Sequence, residues 1–415
     1  METRVLIHYD WSIEIPGDKK TVMRYSNITL AFLLMFIACS DDNGDEPPAL
    51  IITAEGKTVE EQFGGRIDIN NLPNYANQEV PDYIKKDNAG FNPITDEGAI
   101  LGRVLFYDKN LSFNNSLSCS SCHQQKFAFS DTAKLSKGVE GGVTGRHAMR
   151  LINARFGEEQ KFFWDERAGN LESQTSMPIK DHAELGYSGE EGRPHFDELL
   201  VKLQKIRYYN ELFKLAYGDS VVTENRMQRA LAQFVRSIQS FDSKYDQGYN
   251  QFFSNFSAEE KRGLNLFSTL PQTQKVGEIN VRIGGGVGCF SCHRPPEFDI
   301  LPTTGNNGVV GIANKPGESD FNVTRAPSLR NIANPAGNLN GPLMHDASIT
   351  SFEELIATVG KLDPNPANIN LEPVLSPGFD LLITDQEKTD LIAFLKTLSG
   401  NAVYTDERWS DPFEP

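Results

Sequence analysis

The chain has 415 residues, 39% of them hydrophobic, and carries a formal net charge of −16. This length and apolar content are sufficient for two globular domains with sizeable cores. The negative charge disfavours nucleic acid and anionic lipid as partners. It would suit a cationic protein partner, and it serves solubility equally well.

The first predicted element is an export signal. The apolar run 28–38 follows a basic segment and is too short for a membrane helix, which needs about 20 apolar residues. The run ends at Cys39 in a sequence that resembles a bacterial lipobox, in which this cysteine would be lipidated. We therefore predict a lipoprotein signal peptide over 1–39, with Met23 as the true start, and a tether with an N-terminal extension over 40–80.

This signal predicts the location of the mature protein. A chain lipidated at Cys39 would lie on the periplasmic or cell-surface side, most simply as an outer-membrane lipoprotein, and would contact the membrane only through its lipid anchor. The polar residues that follow Cys39 resemble the surface-export signal of some Gram-negative lipoproteins.

Capping residues mark the starts of the predicted helices, which follow Thr95, Thr223, Ser257, Ser351 and Thr384. The helix after Thr223 has a regular apolar stripe that extends from Met227 to Phe241. Strand signals are few, and we expect segment 272–288, with its three consecutive glycines, to be a flexible insertion. The sequence therefore predicts a mainly α fold.

Four of the five cysteines belong to two copies of the pattern Cys-x-x-Cys-His, formed by Cys119, Cys122 and His123 and by Cys289, Cys292 and His293. This pattern is the attachment signature of c-type haem, in which both thiols bind the porphyrin and the imidazole binds the iron. A zinc ribbon would need its pairs about 15–20 residues apart. These pairs begin 170 residues apart (289 − 119), and a dithiol redox site needs no His after each pair. The sequence predicts two covalently bound haems.

The region before each haem motif is duplicated. Segments 95–106 and 257–267 both begin with a Ser or Thr cap and end in Leu-Phe shortly before the cysteines. We therefore predict two cytochrome-c-like domains, one haem in each, over 81–245 and 246–400, followed by a tail over 401–415.

These residues resemble the bacterial dihaem cytochrome c peroxidases and the related enzymes that mature methylamine dehydrogenase. The resemblance covers roughly residues 90–400 and depends on matching segments at 101–108, 162–168, 326–331 and 344–346. It implies that the first haem cleaves hydrogen peroxide and that the second haem accepts electrons from a small c-type cytochrome or a similar donor.

The resemblance also implies roles for individual residues. His123 and His293 match the proximal iron ligands, and Trp164 matches a tryptophan that carries electrons between the haems. Gln174 and Glu184, each ten residues beyond the previous match, correspond to residues that line the peroxide pocket. A carboxylate there can move a proton from one peroxide oxygen to the other, and an amide can orient peroxide. An isolated glutamate would instead be an ordinary surface carboxylate.

The sequence departs from the family at the sixth position of the first haem. Val139 stands where members that need reductive activation have a distal His, and a Val side chain cannot bind iron. We therefore predict an open sixth position that reacts with peroxide without prior reduction, with Glu140 or His147 as alternative ligands.

A second departure concerns calcium. His147, after Arg146, replaces an Asn that binds an interdomain Ca²⁺ in the family. Because Ca²⁺ prefers oxygen ligands, the resemblance leaves this site in doubt, although carbonyls near Thr324 and Pro327 are available.

The sixth ligand of the second haem is also open. Counting from His345 to the position of the family's Met or Tyr ligand reaches Val359. Met344 is the remaining local sulfur, either as a ligand or as ordinary packing, and Tyr404 is the one tyrosine after the second motif. A Met ligand would raise the iron potential.

The sequence thus favours a peroxidase that reduces hydrogen peroxide to water, and it is compatible with a homodimer. One alternative is a dihaem oxidase that modifies side chains of a partner protein. The other is a non-catalytic electron carrier, which would have no use for the pair Gln174 and Glu184.

Overall fold

Helices form most of the regular structure in the computed structural model, which describes residues 54–376 and 378–414. The helices are α1 Val59–Phe63, α2 Asp96–Tyr107, α3 Leu171–Lys180, α4 Phe196–Gln204, α5 Arg207–Tyr217, α6 Glu224–Ser237, α7 Lys244–Tyr249, α8 Ala258–Ser268, α9 Phe352–Gly360, α10 Asp385–Lys396 and α11 Ala402–Thr405. The predicted signal peptide, with Met23 and Cys39, lies outside the described residues. Within them, every helix is too short or too polar to cross a bilayer.

The strands are short and form two small sheets. They are β1 Pro271–Val276, β2 Ile279–Gly285, β3 Gly311–Ile312, β4 Lys315–Ser319, β5 Lys361–Leu362 and β6 Phe379–Asp380. One sheet has the order β1-β2-β6-β5, in which only β2 and β6 run parallel, and β3 pairs with β4 in the other. The predicted mainly α character is confirmed, with some sheet added in the C-terminal half.

All five predicted helix starts are confirmed. Thr95, Thr223, Ser257, Ser351 and Thr384 each accept a hydrogen bond from the third residue of the helix that follows. Such caps satisfy backbone donors that a helix leaves unpaired, which is why the helices begin at these residues.

One predicted helix ends earlier than its apolar stripe suggests. Helix α6 stops at Ser237, and Phe241 lies beyond it. The chain turns away because the Ile238 carbonyl accepts the backbone N–H of Asn153 at 3.0 Å, and the Ser240 N–H donates to the Asn153 side chain at 2.8 Å. Phe241 packs its ring 5.0 Å from that of Phe156 instead.

Segment 272–288, expected to be a flexible insertion, is instead mostly a β-hairpin. Strands β1 and β2 pair antiparallel, with Val276 opposite Ile279 next to a turn at Gly277, whose φ is 60°. The hairpin is anchored because β2 also pairs with β6. The expectation was wrong because the partner strand lies about 100 residues downstream, a contact that local composition does not reveal.

Two hydrophobic cores occupy the two halves of the described chain. The first contains buried residues between Val59 and Ile238, together with Val403 and Trp409 from the C-terminal tail. The second contains buried residues between Tyr245 and Leu398. The division falls near the predicted boundary at 245, and the individual domain limits stay predictions.

The C-terminal tail returns to the first half. The Trp409 ring is buried in the first core, and its carbonyl accepts a hydrogen bond from the Tyr107 hydroxyl at 2.5 Å. Gln125 lies two residues after the first haem motif, and its amide donates to the carbonyls of Val403 and Asp406 at 3.1 and 3.0 Å. The tail therefore braces the segment that carries the first motif.

Candidate functional site

The first Cys-x-x-Cys-His motif forms one 3₁₀ turn, Cys119–Ser121. The backbone N–H groups of Cys122 and His123 both donate to the Cys119 carbonyl, at 3.2 and 3.0 Å. The His123 Nδ1 lies 3.2 Å from the Phe129 carbonyl oxygen, which leaves Nε2 available to a metal. Burial lowers the pKa of His123 and so favours the neutral imidazole that binds iron.

The second motif repeats this geometry. It forms the turn Cys289–Ser291, and Cys292 and His293 donate to the Cys289 carbonyl at 3.3 and 3.0 Å. Burial lowers the pKa of His293 to about 4, and its Nδ1 is buried without a partner among the described residues. Burial also raises the pKa of the Cys119 and Cys289 thiols to about 12, so both thiols are protonated near neutral pH.

A cavity of about 510 Å³ adjoins the first motif. This volume lies within the range of about 300–1,000 Å³ that is usual for cofactor pockets. Loops of both halves and helix α3 contribute to its walls. The structure brings the predicted first-site residues together here, because the lining includes Cys119, Cys122, His123, Trp164, Gln174 and Glu184.

The backbone on both sides fixes the position of Glu184. Asp181 follows α3, and its carboxylate accepts the N–H groups of Ala183 and Glu184 at 2.8 and 3.0 Å. The Glu184 carbonyl accepts the N–H of Val139 at 3.1 Å. Burial, assisted by the negative charge of Asp181, raises the pKa of Glu184 to about 7. A carboxyl group with this pKa can both donate and accept a proton near neutral pH.

The loop that carries Val139 is packed tightly against the Glu184 segment. A Cβ added at Gly138 would lie only 1.7 Å from the Ala183 carbonyl oxygen. Val139 is buried, whereas Glu140 is exposed and pairs with Arg193 at 3.1 Å. The open sixth position of the first haem stays a prediction.

His147, the other alternative ligand, lines the cavity. Its Nδ1 lies 3.0 Å from the Ala133 carbonyl oxygen, and its buried Nε2 has no partner among the described residues. The predicted doubt about Ca²⁺ also stays open. The Thr324 hydroxyl donates to Glu166 at 2.8 Å, and Pro327 lines the cavity.

Trp164 lies where the two halves meet. Its indole N–H donates to the His147 carbonyl at 2.8 Å, and its own carbonyl accepts the Arg325 N–H at 3.0 Å. Its ring lies 6.2 Å from the ring of His345 in an edge-on arrangement. His345 in turn accepts the His147 N–H through its carbonyl at 2.8 Å. These contacts hold an aromatic ring between the two motif-bearing halves.

The residues considered for the sixth ligand of the second haem are divided between the two cores: Met344 and Val359 pack against the second core, and Tyr404 packs against the first. Met344 has a left-handed conformation, and its sulfur accepts a hydrogen bond from the Asn307 amide at 3.5 Å. Val359 lies on α9. The Tyr404 hydroxyl accepts a hydrogen bond from Asn340 at 2.6 Å. The sixth ligand of the second haem stays a prediction.

Two buried arginines were missed in the sequence. Arg150 and Arg325 are both more than nine-tenths buried, both line the cavity, and each has a buried Nε without a partner among the described residues. No local signal marks them, although segments 148–153 and 326–331 align and place Arg150 opposite Ser328.

The residues around this cavity fit a haem. Two thiols and a neutral imidazole on one turn match its covalent and iron attachments. The apolar wall suits a porphyrin, and the buried guanidinium groups suit its two carboxylates. This combination describes a haem-binding redox protein.

Comparisons with known proteins place this protein more narrowly. Residues 96–252 match the family described as di-haem cytochrome c peroxidase. Together with the curated relatives below, this match confirms the predicted resemblance to the di-haem cytochrome c peroxidases and MauG proteins. The similarity implies a haem cofactor and supports an oxidoreductase.

The curated relatives divide between two activities. The chain is 27% identical over 343 residues to the methylamine utilization protein MauG of Methylophilus methylotrophus, covering 80% of this chain and 91% of the relative. It is 28% identical over 313 residues to the cytochrome c551 peroxidase of Nitrosomonas europaea, and the match covers 73% of this chain and 80% of the relative. The family alone therefore does not choose between them.

Solved structures support the fold. A MauG-like protein associated with microbial copper homeostasis is 28% identical, has a TM-score of 0.64, and covers 81% of this chain and 99% of its own. The diheme peroxidase BthA from Burkholderia thailandensis E264 is 20% identical and has a TM-score of 0.56, and the match covers 80% of this chain and 94% of BthA. At this identity the similarity indicates the fold alone.

Proposed function

We propose that the protein is a dihaem cytochrome c peroxidase that reduces hydrogen peroxide to water. The reaction consumes one peroxide, two protons and two electrons and yields two waters. One observation carries the proposal: the Glu184 carboxyl, whose pKa burial raises to about 7, lines the same cavity as His123. A pure electron carrier would need no such group there.

Haem attached through Cys119, Cys122 and His123 would supply the iron that binds peroxide and passes electrons to it. In its ionised form Glu184 would accept a proton from one oxygen of the peroxide. In its protonated form it would deliver that proton to the other oxygen, which would leave as water. Gln174, on α3 in the same wall, offers an amide that can orient peroxide and water.

Trp164 provides the contact through which the second half would supply electrons. Its ring lies against His345, and its backbone is hydrogen-bonded to Arg325. We propose that a second haem, attached through Cys289, Cys292 and His293, receives the electrons from a small c-type cytochrome. The net charge of −16 would favour a basic donor and would make the association rate fall as salt increases.

The substitution Glu184→Gln tests the proposal in holoprotein produced with haem-maturation machinery. Peroxide would be supplied with a reduced basic c-type cytochrome. We expect kcat/KM for peroxide to fall by about 10²–10⁴-fold, the usual contribution of general acid–base catalysis. Two donor molecules should be oxidised for each peroxide.

The matched control is Glu140→Gln, since Glu140 is an exposed carboxylate paired with Arg193 on the neighbouring loop. It should retain wild-type turnover, and the absorption spectrum should confirm that both variants hold haem. Equal turnover of Glu184→Gln and the wild type would refute the proposed role of Glu184.

A second candidate is an oxidase that uses peroxide to modify a partner protein. It is favoured by the similarity to MauG and to the MauG-like structure. It stands second because Val359 supplies neither the Met nor the Tyr ligand of the family. This candidate predicts that peroxide oxidises the protein but that reduced cytochrome is consumed slowly and without the two-to-one stoichiometry. Rapid stoichiometric oxidation of the cytochrome would reject it.

We also propose that the mature protein is exported and held by a lipid on Cys39. The apolar run that precedes this cysteine supports the proposal. Labelling of expressing cells with a fatty acid should mark the wild type and not the Cys39→Ser variant. Equal labelling of both would contradict it.

A further inference from the structure

Arg150 places a positive charge in the wall of the first cavity. Its side chain is more than nine-tenths buried and lines the cavity together with His123. One guanidinium N–H donates to the Ser328 carbonyl at 3.0 Å, and the Nε–H is buried without a partner among the described residues. The preceding residue, Met149, presents its backbone to the His123 imidazole. The charge therefore lies near the first haem motif.

The described part of the chain offers no anion to Arg150. Arg146, four residues earlier, pairs with Asp165 at 2.8 Å and Asp320 at 2.6 Å. Arg150 has no carboxylate within ion-pairing distance in residues 54–376 and 378–414. The ionisable group whose charge raises its pKa is the Tyr404 hydroxyl. Burial without an anion lowers the pKa of Arg150 to about 10. A buried charge in this state is costly and calls for an anionic ligand.

We propose that Arg150 binds a carboxylate of the first haem, a contact that the second half lacks because Ser328 occupies the equivalent position. The proposal rests on the proposed binding of haem to the first motif, and it identifies the residue that would neutralise one of the cofactor's charges. A free carboxylate anion entering the cavity offers the same chemistry, so the experiment must distinguish the two sources.

The proposed ion pair between Arg150 and a haem carboxylate would affect the reduction potential of the first haem. A cation beside the haem disfavours the more positive ferric state and so raises the reduction potential. Removing the charge should lower the potential of the first haem. The potential of the second haem should be unaffected, since Arg150 lines the cavity of the first motif.

The test compares Arg150→Met, Arg150→Lys and Arg155→Met holoproteins by spectroelectrochemical titration without peroxide. Arg155 is a suitable control because it pairs with Asp87 at 2.6 Å and is absent from the cavity lining. We expect a lower potential for the first haem alone in Arg150→Met, a nearly wild-type value in Arg150→Lys, and no change in Arg155→Met. An unchanged first potential in Arg150→Met would overturn the proposal.

Two further outcomes are decisive. If Arg150→Met fails to hold the first haem, then Arg150→Lys must hold it at nearly the wild-type potential, and loss of haem from both variants overturns the proposal. If added acetate shifts the wild-type first potential, a free anion occupies the site and the haem carboxylate is rejected. Because no peroxide is used, a protein that proves inactive as a peroxidase would still test this inference.

Discussion

The two halves of the molecule share one helical frame. In the first half α2 crosses α6, and in the second α8 crosses α10. Each crossing is made close by a glycine: a Cβ at Gly102 would lie 2.0 Å from the Ala230 carbonyl oxygen, and one at Gly263 would lie 2.0 Å from that of Asp390. The repeated approach indicates a duplicated unit.

The aromatic packing of the crossings is also repeated. The rings of Phe106 and Phe234 are 5.1 Å apart at 55°, and those of Phe267 and Phe394 are 5.1 Å apart at 56°. What differs is the connecting chain. The first half adds α3 and the loop that carries Glu184, whereas the second adds the β1–β2 hairpin. The comparison teaches that the frame holds a Cys-x-x-Cys-His motif in either half, while the connecting chain places the buried Glu184 carboxyl beside the first motif.

The most severe way to break the comparison is to remove one pair of motif cysteines at a time. Cys119→Ser with Cys122→Ser should remove one haem and abolish peroxide reduction. Cys289→Ser with Cys292→Ser should also remove one haem and abolish turnover with an external donor, while peroxide binding at the first haem remains. Intact-protein mass spectrometry and stopped-flow absorption would measure both effects. Two retained haems in either double variant would contradict covalent attachment at that motif.

A smaller effect is expected in the pH dependence of the peroxide reaction, which should reflect the titration of Glu184 in the first half. Because the pKa of Glu184 is raised to about 7, the carboxyl is mostly protonated below pH 7 and cannot accept the peroxide proton. The reaction of the first haem with peroxide should therefore slow by about tenfold per pH unit below pH 7 and level off above it. Glu184→Gln should lack this dependence. The same pH profile in wild type and variant would assign the titration to another group.

The smallest expected effect tests whether the two helix crossings are equally tight. Gly102→Ala and Gly263→Ala each force a Cβ against a backbone carbonyl, so each should lower the free energy of unfolding by about 1–3 kcal/mol. Gly65→Ala is the control, since a Cβ there meets nothing within 4 Å, and its effect should stay within about 0.5 kcal/mol. Denaturant titrations would measure these changes. If one glycine tolerated alanine, the crossings would not be equivalent.

Local signals account for what the sequence predicted well. Caps such as Ser257 and Thr384 act within three residues, so the starts of their helices can be recognised without knowledge of the fold. The haem motifs are equally local. Gln174 and Glu184 were identified through the family resemblance, in which they follow Trp164 at fixed spacings, and the structure places all three on one cavity.

Features that depend on distant partners were not predicted. The β1–β2 hairpin depends on β6, and the early end of α6 depends on Asn153. Arg150 was not singled out in the sequence, because its burial depends on a contact with Ser328 in the other half. In each case the deciding contact joins residues that are far apart in the chain.

The contact between Gln125 and the C-terminal tail has a consequence for biogenesis. Gln125 and Val403 are separated by 278 positions, so the tail leaves the ribosome long after the first motif. The turn formed by Cys119, Cys122 and His123 is therefore complete in the nascent chain while the tail that braces it is still being synthesised. This order leaves the cysteines of the first motif accessible until the C-terminal tail has folded against Gln125.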